Sequence, residues 1–247
     1  MNRIIKQSEV AASSKLAARL GQSGTREERS GQSGGSPADI TMRLRNEVRI
    51  ATLNWATVEA FNSTFETLRD GLIEWNAWQP AMFGVRSIAR DVIMALMRIT
   101  DGPGQDNDLE TVSRLVDAFD GMTAGEIAAT TGATEEAITA GLEYLQARVP
   151  LGWGKNHVSP GNSELADVRM SFKPIRDNLI AHAKVYSSLD LRRDMPKVRT
   201  FLLLVSSLSD AACMVCNVPR DDLQERWDTS VAEAKQFWGI VAAASQR

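Results

Sequence analysis

Arg176 and His182, separated by five residues in the run Arg176-Asp177-Asn178-Leu179-Ile180-Ala181-His182-Ala183, are the side chains best suited to chemistry in this chain. A guanidinium is permanently charged and can hold an anion, whereas an imidazole with an ordinary pKa of about 6.5 exchanges protons near neutrality. His182 is one of only two histidines, and the other, His157, falls in a Gly-rich loop. With two histidines and two cysteines, Cys213 and Cys216, the chain is poorly supplied for a zinc site of about four ligands, so neither metal nor cofactor is expected.

The element positioning the pair is a helix. Val168, Phe172, Ile175, Leu179, His182 and Tyr186 recur at steps of four and three, as a buried seam requires. At about 100° per residue, Arg176 and His182 flank that seam about 120° apart. They are poorly placed to share one small group within a single helix unless Arg176 bends back. Two copies packed seam to seam could bring the arginine of one towards the histidine of the other. Pro174 must either kink this helix or restart it as an early helical residue. The bland reading of the pair is a satisfied core histidine and an ordinary ion-pairing arginine.

The wording of this run resembles the HEPN superfamily of helical domains, found in ribonucleases, toxins and abortive-infection proteins, whose signature is Arg, four to six residues, then His, with a polar residue after the arginine. The earlier run Arg86-Ser87-Ile88-Ala89-Arg90-Asp91-Val92-Ile93-Met94-Ala95-Leu96-Met97-Arg98-Ile99-Thr100-Asp101 is similar to the preceding helix of abortive-infection members. The likeness spans roughly residues 40 to 215. It implies an all-α, up-and-down helical bundle and metal-independent cleavage of RNA through attack of the ribose 2′-OH on the adjacent phosphate. His182 would then move protons, Arg176 would stabilise negative charge on phosphate, and Asp177 and Asn178 would orient them. Arg86 and Arg90 would bind substrate; their bland reading is a solvated helix side. The resemblance further implies a homodimer whose two motifs meet at a cleft, and leaves room for an antitoxin or other regulatory partner. It also includes noncatalytic helpers, so a dimerisation or regulatory module without chemistry is the alternative.

Composition agrees with a helical protein. The 247 residues are 43% hydrophobic but only 6% aromatic, and no convincing alternating strand is present. A net charge of −3 argues against a protein that coats nucleic acid nonspecifically, leaving only a local basic cleft. Cys213 and Cys216, three apart in the apolar run Phe201 to Val218, should pack in the core as free thiols and suit a cytoplasmic setting. That run is interrupted by serines, Asp210 and Asn217, so no membrane span is expected; residues 1–20 lack the apolar core of a secretory signal.

Residues 1–37 read as a flexible segment and Gly/Ser linker, and 38–247 as the folded helical domain. From Asp39 a long spine helix carries Ile40, Leu44, Val48, Ala51, Trp55, Val58, Phe61, Phe65, Leu68 and Leu72, with Trp75 and Trp78 continuing it to Pro80. Pro80 to Thr100 makes the second helix, and Asp108 suits the N-cap of a third. Residues 121–149 look like a small helical hairpin insertion. Within it Thr123 and Glu126 form a capping box, Gly132 supplies a turn and Thr134 caps a second helix. The same pattern fits a DNA-binding helix-turn-helix, but its second helix opens Glu135-Glu136 and lacks cations for phosphate. Pro196 should lead into the buried helix ending near Val218, and Pro219 should open a last helix with Leu223, Trp227, Val231, Phe237, Trp238 and Val241 at core positions.

Overall fold

A computed structural model describes residues 35–74, 76–101, 111–149, 164–182 and 191–244. Every described element is helical: α1 (Pro37–Glu74), α2 (Trp78–Ile99), α3 (Val112–Ala118), α4 (Ala124–Thr131), α5 (Glu135–Arg148), α6 (Glu164–His182), α7 (Leu191–Val215) and α8 (Leu223–Ala244). The all-α expectation therefore holds, and α1 is the long spine foreseen from its periodicity. Residues 1–34, most of the expected 1–37 segment, lie outside the described residues, and α1 already begins at Pro37, one residue before the expected start of the domain.

The heptad-like spacing of α1 explains its central place. Ile40, Leu44, Val48, Ala51, Trp55, Val58, Phe61, Leu68 and Leu72 are all buried and lie along one stripe, against which α2, α7 and α8 pack. Side chains fix the directions. Phe65 meets Trp78, and Glu47 pairs with Arg98, so α2 runs antiparallel to α1. Thr41 donates to Cys216 Sγ at 3.1 Å while Thr52 shares a groove with Leu202, so α7 is antiparallel to α1 as well. Arg45 grips Asp221, just before α8, and Phe61 meets Trp238, so α8 runs parallel to α1. Phe172 stacks on Phe201 with ring centroids 5.8 Å apart. The two rings stand ten residues before the end of α6 and ten after the start of α7.

Several boundaries differ from the sequence expectation. The spine helix does not continue to Pro80. It stops at Glu74, where Asn76 adopts φ 54°, its N–H bonds Ile73 O at 3.0 Å, and the Ala77 N–H reaches back to Leu72 O at 2.8 Å. This pattern is a Schellman ending, and asparagine tolerates the left-handed conformation it needs. Pro80 instead sits in the first turn of α2, where its missing N–H is harmless. The cap of α3 is Thr111, whose side chain accepts from Arg114 N, rather than Asp108, which lies outside the described residues. Helix α6 does not restart at Pro174 but includes it, and α7 begins at Leu191 with Pro196 inside. The last helix starts at Leu223, capped by Asp222 accepting from Glu225 N at 2.9 Å, and not at Pro219. Phe237 is 57% exposed rather than in the core, because the buried side of α8 is taken by Trp238, Val241 and Ala242.

The stretch Asp194–Val215 is the only described segment long and apolar enough to cross a membrane by length and composition. Its Val198, Phe201, Val205 and Leu208 are buried in the bundle. Cys213 and Cys216 are free and buried, as expected; burial pushes the Cys213 thiol up to about 11.

The 121–149 segment forms α4 and α5 with the caps read from the sequence. Thr123 and Glu126 complete a capping box, Gly132 takes φ 73° as a left-handed cap, and Thr134 accepts from Ala137 N. Asn217, the left-handed residue ending α7, donates from Nδ2 to Gly132 O at 3.3 Å and ties the hairpin turn to the bundle. The apolar side of α5, through Ile138, Gly141 and Leu145, is spent on α7 and the core. What α5 turns outward includes Glu135, Glu136 and Glu143, a face that phosphate would repel.

Candidate functional site

Arg176 lies in the second half of α6, and the first part of the seam expected beside it is present: Phe172 and Ile175 are buried and Val168 half-buried, while the side chains of Leu179 and His182, and Tyr186, lie outside the described residues. Arg176 itself stays off that seam, with a quarter of its side chain exposed. Its guanidinium donates from Nη1 to Asp101 Oδ1 at 3.3 Å. Asp101 follows the C-terminus of α2, where Thr100 turns its hydroxyl back onto Leu96 O and Ser113 Oγ donates to the Asp101 carbonyl at 2.9 Å. Sequence-distant segments thus meet here: the end of α2, the start of α3 and the middle of α6.

A second arginine shares the same oxygen. Arg169, two turns before Arg176, donates from Nη2 to Asp101 Oδ1 at 2.6 Å. Its side chain is only 13% exposed. Burial holds its pKa below the ordinary arginine value; the attraction and hydrogen bond of Asp101 oppose this, while the charge of Arg176 adds to it. Arginine nonetheless remains protonated in proteins. Arg169 was not singled out by the sequence reading, although its place is legible in retrospect. Seven residues are nearly two helical turns, so Arg169 and Arg176 share a face by period alone.

The other expected site residues distribute as follows. Arg90 is half-buried on α2 with its Nε buried and lacking a hydrogen-bond partner. It precedes Asp101 by eleven residues. Arg86 is exposed, one turn further from Asp101. The backbone of α6 extends through Asp177 and Asn178 to His182, its last residue; the side chains of these three lie outside the described residues, as does His157.

Chemically, the arrangement offers a guanidinium pair held on a carboxylate beside the helix that ends in a histidine. Among the described residues no three His, Cys, Asp or Glu side chains come together as a metal-ligand set. No protein-family model, no curated protein and no solved structure matches this chain.

Proposed function

We propose that the protein is a HEPN-like, metal-independent endoribonuclease of toxin or abortive-infection type. The reading is carried by one observation: the ion pair between Asp101 and Arg176 joins the ends of the two sequence runs that bear the resemblance. Arg176 is oriented by that contact and still partly open to solvent, as a group meeting phosphate must be. In this function the 2′-OH of RNA attacks the neighbouring phosphate, His182 acts in proton transfer, Arg176 stabilises the added negative charge, and Asp177 and Asn178 orient them. Arg86 and Arg90 contact the strand from α2. The protein works as a cytoplasmic homodimer in which each motif faces its counterpart, and an antitoxin or other regulatory partner restrains it.

The assay is cleavage of single-stranded RNA by purified protein in excess EDTA, scored for 2′,3′-cyclic phosphate ends. Arg176→Ala and His182→Ala should each abolish cutting. Equal cutting by both variants and the parent protein would overturn the assignment. A second reading, a noncatalytic dimerisation or regulatory module, is favoured by the engagement of Arg176 with Asp101 as an ordinary structural ion pair. It is the conclusion if the parent protein cuts no RNA while light scattering shows a dimer.

A further inference from the structure

Arg169 and Arg176 present a geometry that the function above does not use in full. Two guanidiniums, two turns apart on α6, converge on a single oxygen, Asp101 Oδ1, at 2.6 Å and 3.3 Å. Guanidiniums converging on one oxyanion suit a phosphate as well as a carboxylate, because both present oxygen acceptors to the planar fork. The two sides of the contact differ in freedom. Arg169 is held by burial within the bundle, at 13% exposed, whereas the Asp101 side chain is 31% exposed and stands just beyond the capped end of α2. The Asp101 carboxylate is thus the side of the contact that meets water.

We propose that Arg169 and Arg176 form a two-guanidinium clamp for one phosphodiester of an RNA strand, and that Asp101 is the resident carboxylate that fills the clamp when no strand is bound. The strand replaces one anion by another, so Arg169 and Arg176 keep an anion at the place of the Asp101 carboxylate throughout. Asp101 acts as an internal competitor, making the clamp selective for strands that gain additional contacts elsewhere, such as at Arg90 and Arg86 on α2. The inference rests on the ribonuclease reading for the identity of the anion, but it concerns binding and makes no claim on the chemical step.

The test separates binding from cleavage by using a fluorescein-labelled 2′-O-methyl oligoribonucleotide, which lacks the attacking hydroxyl. Anisotropy titrations across a salt series compare the parent protein with Asp101→Asn, Asp101→Glu, Arg169→Gln and the Asp101→Asn/Arg169→Gln pair, each checked for folding by circular dichroism. Asp101→Asn should bind about three- to fivefold tighter, a range set by the modest worth of a partly exposed ion pair. Its log–log salt slope should steepen by up to about 0.7, the value for one more phosphate contact on a single strand. Arg169→Gln should remove that gain, and Asp101→Glu, which keeps the competing charge, should stay near the parent affinity. Unchanged or weaker binding by folded Asp101→Asn overturns the clamp, as does Asp101→Glu binding as tightly as Asp101→Asn. A binding gain without cleavage of ordinary RNA by any variant keeps the clamp and removes the nuclease. Cleavage that depends on Arg176 and His182, with no gain in Asp101→Asn, does the reverse.

Discussion

Replacing Gly141 with alanine tests how the 121–149 hairpin is joined to the bundle. Gly141 is buried in the interior of α5, where alanine by helix propensity alone would add about 1 kcal/mol of stability. The surroundings argue the other way. A Cβ built at this position would lie 2.6 Å from Val215 Cγ2 and 2.9 Å from the Ala211 carbonyl oxygen. Comfortable contact between carbons needs about 3.5–4.0 Å, so the overlap with Val215 is on the order of 1 Å. Val215 is fully buried and has no room to swing aside, and the carbonyl belongs to the α7 backbone. The hairpin must therefore lift from α7, disturbing the neighbouring contacts of Ile138 and Leu145. Overpacking of this kind costs about 1–3 kcal/mol. Set against the propensity gain, the net loss is about 1–2 kcal/mol where the clash is toward the upper part of that range. For a domain of this size that corresponds to a melting temperature lower by about 2–8 °C. Thermal and urea unfolding followed by far-ultraviolet circular dichroism would measure it. Adding Val215→Ala removes two buried methyl groups, worth about 1.6 kcal/mol by transfer alone, yet relieves the closer contact. The double variant should therefore exceed the sum of the singles by about 1 kcal/mol, a coupling expected of side chains in contact. Gly141→Ala at or above the parent stability would refute the close approach of α5 to α7.

Other perturbations follow from particular contacts. Asp221 accepts from Arg45 at 2.7 and 3.0 Å and from Arg226 at 3.1 Å, and the hydrogen bonds from Arg45 hold its carboxyl below the ordinary value. Its stabilising contribution is thus complete above the unfolded carboxyl pKa of about 3.9 and is lost as pH falls through the lower folded value. The stability gap between parent and Asp221→Asn should be constant from pH 5 to 8 and shrink below about pH 4; a gap that widens on acidification would contradict the pairing. Asn76→Gly should hold or raise stability by up to about 1 kcal/mol because φ 54° suits glycine, whereas Asn76→Ala should lower it; equal melting curves for the two would deny the left-handed cap. Thr123→Ala and Thr134→Ala should each lose about 1 kcal/mol through their helix caps, read most directly as faster amide exchange in α4 and α5. Cys213, 1% exposed and with its pKa raised to about 11, should resist iodoacetamide in the native protein and react at a free-thiol rate only in denaturant; native labelling at that rate would place it at the surface.

The local part of the architecture was legible because it is written in period and in caps. The three-and-four spacing from Ile40 to Leu72 suffices to name the spine helix and its buried stripe. Thr123, Glu126, Gly132 and Thr134 define the hairpin from side chains acting within four residues of themselves. The errors occur where a distant partner decides. Nothing within α8 shows that Trp238 rather than Phe237 will take the core position; that depends on where Phe61 stands on α1. Trp78 continues the apolar period of α1, yet the chain turns back at Asn76 because Trp78 packs on Phe65 from the following helix.

The motif divides in the same way. The sequence alone placed Arg176 and His182 on one helix, with Arg176 beside the buried Phe172 and Ile175, since that follows from residue order and the helical repeat. It could not select Asp101 as the group that Arg176 meets, because 75 residues separate them and an ion pair leaves no periodic trace. Nor could it distinguish Arg169 from the other arginines. Only the packing of α6 against the end of α2 brings Arg169, Arg176 and Asp101 to one point, and such packing is set by how apolar faces fill space across the whole bundle.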